Sequence, residues 1–182
     1  KEYLVLGKPA PTDAPKGQVE VVEFFWYSCP HCNAFEPRLE AWVKQLPKDV
    51  SFRRAPVSFR ADFEPQQRLY FVLEALNLVD TLHAKVFYAI HVERKNLTTK
   101  DAIATWIATQ GVEKAKFLET YDSFSVASKA RRASQLQDAY EVAGVPSIGV
   151  GGRFYTDGQQ AGSMERVLQT TDFLVAELRK GR

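Results

Sequence analysis

The chain has 182 residues, 45% hydrophobic and 25% charged, with a formal net charge of +2. That composition supports one large folded domain, or a domain carrying an insertion, and excludes a disordered chain. The near-balanced charge, without any block of Lys and Arg, argues against a nucleic-acid surface, and no apolar run reaches membrane-spanning length.

In chain order, Tyr3 to Leu6 is a short apolar run ending at Gly7 and predicts an edge strand. Residues Pro9 to Gly17 are proline-rich and polar and predict a loop. Val19 to Tyr27 is apolar at both parities, the pattern of a central strand covered on both faces. Glu23 breaks it: the residue shares its parity with Val21 and Phe25, and an ionised carboxylate facing inward is costly unless paired. Cys29-Pro30-His31-Cys32 follows, holding both cysteines of the chain. Phe35, Leu39, Trp42 and Leu46 then set a helical period from Pro30, with a kink expected at Pro37 and an end near Pro47. Val50 to Arg54 predicts the next strand, completing a strand–helix–strand unit.

From about Asp62 the apolar period is helical throughout. Leu69, Val72, Leu73 and Leu76 form one stripe, and Leu82, Val86, Phe87 and Ile90 a second. Ile103, Trp106 and Ile107 form a third, Phe117, Leu118 and Tyr121 a fourth, and Val126 to Val142 reads as a long returning helix. Asp80, Thr99 and Ser123 are candidate N-caps. Beyond Pro146, Ser147–Val150 and Arg153–Thr156 flank Gly151-Gly152, a two-residue hairpin signal, and Ser163 caps a last helix reaching Lys180. Strands at both ends and helices between predict an inserted helical subdomain.

The cysteine spacing carries the chemistry. A Cys-x-x-Cys at a strand-to-helix junction is a redox motif, because the short loop brings two thiols within bridging reach. With Cys29 as N-cap and Pro30 at the first helical position, the N–H groups of His31 and Cys32 lack intrahelical partners and point toward the Cys29 sulfur. The helix's positive end and a charged His31 favour an anion there, so the Cys29 thiol is expected to ionise easily and to be the attacking sulfur. Cys32, one turn deeper, is the resolving sulfur. Two cysteines do not fill a four-ligand zinc site, so no metal is expected. His83 and His91 are read as surface or packing histidines.

Cys-Pro-His-Cys after Glu23-Phe24-Phe25 resembles the DsbA family of periplasmic thiol:disulfide oxidases, within the thioredoxin superfamily. Gly144-Val145-Pro146, similar to that family's cis-proline loop, and the long helical stretch extend the resemblance over nearly the whole chain. It implies an α/β thioredoxin fold, a central mixed sheet flanked by helices, with an all-helical subdomain at 63–135 inserted between thioredoxin-like parts 1–62 and 136–182. It implies a Cys29–Cys32 disulfide as the sole redox group, with no other cofactor, donated to reduced, newly exported polypeptides. A cis Pro146, Val145 pairing with an extended substrate strand and Met164 lining a hydrophobic groove are the implied binding elements. Glu23 is the implied buried acid of a proton relay, its partner being Arg54 where the family carries a lysine. A guanidinium keeps its charge and holds Glu23 ionised more firmly. The resemblance further implies a monomer, a periplasmic location with a leader already removed, and reoxidation by a DsbB-like membrane quinone reductase. An isomerase or reductase of the same superfamily uses the same chemistry. A non-redox peptide-binding module would use the groove alone.

Overall fold

The structure is a computed structural model and describes residues 1–181. It divides into two compact units: Lys1–Phe25, Ala34–Ala55 and Gln135–Arg182 form one, and Trp26–Asn33 with Pro56–Ser134 the other. The helical unit therefore takes in the cysteine turn, which lies outside the 63–135 segment, because that turn bonds to helical side chains far along the chain.

The first unit is built on a five-stranded mixed sheet in the order β1-β5-β4-β2-β3. Its strands are β1 (Leu4–Val5), β2 (Val19–Phe25), β3 (Val50–Pro56), β4 (Ser147–Val150) and β5 (Phe154–Asp157). Every residue of β2 is buried, as its two apolar parities require. Antiparallel pairing of β2 with β4 sets Val21 opposite Val150 and Glu23 opposite Ile148, so Glu23 lies on the same sheet face as Val21. Val19, Val21, Ile148 and Val150 on that face pack against Val167, Leu174 and Val175 of helix α8 (Met164–Lys180), with Trp42 of α1 (Pro30–Lys44) beside them. Burial of each such side chain contributes roughly 1.5–3 kcal/mol. Ser163 caps α8 by accepting from the Arg166 N–H at 3.1 Å. A short helix α7 (Gly158–Ala161), capped by Asp157 and absent from the sequence reading, precedes it.

The hairpin connection has three residues rather than two, since Val150 faces Phe154 across it. Gly151 and Gly152 both take positive φ, 62° and 72°, which only glycine adopts at low cost. On the opposite sheet face Tyr140 lies against Gly149, and its hydroxyl accepts the Gly152 N–H at 2.8 Å.

In the helical unit the four apolar stripes become α2 (Glu64–Ala75), α3 (Val79–His91), α4 (Lys100–Ala108) and α5 (Lys114–Tyr121), followed by α6 (Phe124–Ala139). Leu69, Val72, Leu73, Val86, Ile103, Ile107 and Phe117 are fully enclosed. Thr99 caps α4 and Ser123 caps α6, at 3.1 and 3.2 Å. Asp80 is not a cap: the position before α3 is Leu78, and Asp80 lies in the helix's first turn. Asn77, at φ 59°, closes α2 while the Leu78 N–H bonds the Leu73 carbonyl at 2.7 Å, so the next helix starts before Asp80.

A Cβ on Gly149 would stand 2.5 Å from the Tyr140 ring, which is locked by its hydroxyl bond. Gly149→Ala is expected to destabilise the fold by about 1–3 kcal/mol, read as a lower urea midpoint at unchanged slope.

Candidate active site

Strand β2 ends at Phe25, and the chain turns over Trp26, Tyr27 and Ser28 before helix α1. The Cys29 N–H closes this turn on the Trp26 carbonyl at 3.1 Å. The Asn33 N–H reaches the Cys29 carbonyl at 3.1 Å, and the Cys32 N–H donates to the Cys29 Sγ at 3.1 Å. Cys29 thus caps α1 with both its carbonyl and its sulfur, and Pro30 occupies the first helical position, where its missing N–H costs nothing. No disulfide joins the two cysteines in this structure. Cys29 is 7% exposed and Cys32 fully buried, while Pro30 and His31 are exposed.

The Cys29 thiol is lowered to about 6. Hydrogen bonding from the Cys32 side chain is the largest cause; burial opposes it, and the backbone N–H groups of Cys32 and His31 and the positive His31 ring add to the lowering. The helix-end N–H groups act as the sequence implied. The leading part of Cys32 was not legible from it, because spacing alone does not say which way a thiol points.

Below the strand end, Glu23 is 1% exposed and lies 3.4 Å from Arg54 Nε. The same guanidinium donates to Glu36 Oε2 at 2.7 Å and sits over the Phe52 ring. The sequence paired Glu23 with Arg54 and missed Glu36. One signal was present: Glu36 is four residues beyond Cys32, on the same face of α1. Two buried carboxylates thus share one guanidinium.

The Val145–Pro146 peptide is cis and leads directly into β4. Met164 is half-buried against the core cluster, beside Gly158. His83 is a packing histidine among Tyr27, Tyr70 and Phe87, and both it and His91 also bond to the cysteine turn, the first through the Tyr27 hydroxyl and the second through the Tyr27 carbonyl, each at 2.7 Å. Gln66 bonds Ser28. Sequence separations of 38 to 64 residues leave no local signal for these contacts.

Residues 20–169 match the model of the DSBA-like thioredoxin domain. The chain belongs to the DSBA-like thioredoxin domain family. It is 46% identical over 181 residues, 99% of this chain and 86% of the relative, to the thiol:disulfide interchange protein DsbA of Bordetella parapertussis. It is 41% identical to the DsbA of Pseudomonas aeruginosa, over 98% of this chain and 84% of that one. The crystal structure of P. aeruginosa DsbA superposes with a TM-score of 0.94, 41% identity, covering 100% of this chain and 94% of that chain. DsbA from Xylella fastidiosa superposes with 0.91 at 30% identity, covering 99% and 96%. This DsbA-like chain accordingly has the thioredoxin fold with a helical insertion and is a thiol:disulfide oxidoreductase.

The order of causes at Cys29 makes a specific expectation. Cys32→Ala raises the Cys29 pKa more than His31→Ala does, because the first removes the leading donor and the second leaves the backbone N–H in place. Thiolate absorbance titrations of the two variants check this, and a larger shift in His31→Ala contradicts it.

Proposed function

We propose that this oxidoreductase works as a dithiol oxidase, donating a Cys29–Cys32 disulfide to reduced, newly exported polypeptides. The lowered thiol of Cys29 carries the reading. A good leaving thiolate makes the disulfide a strong electron acceptor.

In the first step a substrate thiolate attacks Cys29 Sγ. The Cys29–Cys32 bond breaks, its electron pair goes to Cys32, and a mixed disulfide forms. A second substrate thiolate then attacks the substrate sulfur of that mixed disulfide, and Cys29 leaves as thiolate. The substrate has lost two electrons and two protons in all, and the cysteine pair has gained the electrons. Cys29 meets substrate because it retains some exposure, whereas Cys32 is enclosed. His31 contributes its N–H and its charge to the departing Cys29 thiolate. Pro30 fixes the first helical residue. Glu23 acts in moving the Cys32 proton, with Arg54 holding its charge, and Val145, Pro146 and Met164 act in holding an extended substrate chain.

The same reading puts the protein in the periplasm as a monomer, with a DsbB-like membrane quinone reductase restoring the disulfide. No helix among the described residues is long and apolar enough to cross a membrane. A reductase is served less well by so stabilised a thiolate, because it makes passing electrons on to a substrate disulfide less favourable. A non-redox binding module would tolerate Cys29→Ser without loss, whereas the oxidase reading expects that variant to lose oxidation of a reduced test protein altogether.

A thiolate held in the fold and released on unfolding favours the reduced form. The folded pKa is lowered to about 6, and an unfolded cysteine titrates near 8.5. The gain is fully present above the unfolded value and is lost as pH falls through about 6. At pH 7 it is on the order of 1 kcal/mol, and near pH 5 almost nothing. Urea unfolding of both redox forms is therefore expected to show the reduced form's advantage shrinking by roughly 1 kcal/mol from pH 7 to pH 5. The bridge's own effect on the unfolded chain is common to both pH values and cancels. A pH-independent difference between the two forms contradicts the reading.

A further inference from the structure

The turn that delivers Cys29 is held by side chains of α2 and α3. The carbonyl of Tyr27 and the N–H of Ser28 are the two polar ends of one peptide unit, and each has its own partner. His91 Nε2 lies 2.7 Å from the Tyr27 carbonyl oxygen. A carbonyl only accepts, so Nε2 carries the proton and donates it. At the other end, the Ser28 N–H donates to Gln66 Oε1 at 3.2 Å. Gln66 is itself anchored: its amide nitrogen donates to the Ser28 hydroxyl and to the Leu97 carbonyl, both at 2.8 Å, and the residue is 3% exposed.

A third contact fixes the Tyr27 side chain. Its hydroxyl lies 2.7 Å from His83 Nδ1. His83 is 4% exposed and meets the rings of Tyr70 and Phe87 edge-on. The adjoining residue, Trp26, stacks on Phe63 with centroids 4.1 Å apart.

With its carbonyl and N–H both held, the Tyr27–Ser28 peptide plane cannot rotate without breaking a hydrogen bond. The next backbone donor is the Cys29 N–H, closed on Trp26. The orientation of the plane therefore sets where the Cys29 sulfur sits relative to the Cys32 N–H. That bond is 3.1 Å long, a close approach for an acceptor as large as sulfur. Rotating the plane turns the sulfur away from the N–H and weakens this contact with the helix end.

We propose that Gln66, His83 and His91 are positioning residues for Cys29: they fix the Tyr27–Ser28 peptide plane and so hold the first turn of α1 with its N–H groups directed at the sulfur. The inference rests on Cys29 being the reactive sulfur. It gives the helical unit a part in the redox chemistry.

The test compares the wild-type protein with His91→Leu, Gln66→Leu, His91→Gln and Phe117→Leu. Phe117 is buried in α5 and reports lost packing in the same unit. Each protein is measured by thiolate titration, by equilibrium with glutathione and by urea unfolding. His91→Leu and Gln66→Leu are expected to raise the Cys29 pKa by about half a unit to one unit, and to move the glutathione equilibrium about threefold to tenfold toward the disulfide form of the pair. His91→Gln, whose side-chain N–H can reach the same carbonyl, stays within about twofold of wild type. Phe117→Leu lowers the urea midpoint and leaves the other two readouts in place. If the leucine variants do not fold, Tyr27→Phe removes the hydroxyl that bonds His83 and is expected to shift the pKa in the same direction. Variants that lose urea stability but keep the wild-type pKa and equilibrium overturn the inference, as does an unmoved Tyr27→Phe where it stands in for them. A wild-type Cys29 titrating at its ordinary value overturns the oxidase reading as well.

Discussion

The capping contact that shapes the site runs from the Cys32 N–H to the Cys29 sulfur. The first N–H groups of any helix lack intrahelical acceptors, and here a sulfur takes the place of the usual capping oxygen. A thiol cap gains mostly as thiolate, so the contact that finishes helix α1 adds to the larger effect of the Cys32 side chain in ionising Cys29. Local structure and chemistry are one interaction at this position, and Pro30 serves both by starting the helix where no N–H is needed.

The molecule also holds charge well away from solvent. Glu23, Glu36 and Arg54 form a compact group in which one guanidinium faces two carboxylates. Groups of this kind are weak sources of stability, because desolvation offsets the attraction. Removing the guanidinium alone would leave two buried anions, a large cost. Arginine differs here from the lysine of the resembled family by spanning both acids at once through its fork. Glu23, like Glu20 paired with Arg53, is a buried acid in a strand otherwise built for a two-sided core, and the ion pair is what makes that position tolerable.

The helical insertion has a core of its own, in which α2 packs against α3, α4 and α5. Its polar interior side chains are few, and several of them converge on the turn at Tyr27 and Ser28. A peptide group that must be satisfied can be satisfied by water or by the protein. Choosing buried side chains from two helices trades adaptability for a fixed backbone, which suits a site whose chemistry turns on one hydrogen-bond length.

The sequence by itself determined the cysteine pair, the strand-to-helix junction, the caps at Thr99, Ser123 and Ser163 and the all-helical middle of the chain. These follow from short-range rules: a period of two or 3.6, a capping side chain, a proline at a helix start. It also singled out Glu23, since an acid in an apolar strand needs a partner; Arg54 as that partner was what the family resemblance implied. Tertiary structure alone decided the rest. Asp80 lost the cap position to a left-handed Asn77 that restarts the chain early. Glu36 joined the ion pair because α1 turns its acid toward β3. Gln66, His83 and His91 read as ordinary helical residues, and only the packing of α2 and α3 brings them to a turn 38 to 64 residues away. The physical reason is range: hydrophobic period and capping act within a few residues, whereas a polar side chain's partner is chosen by whichever surfaces the core brings together.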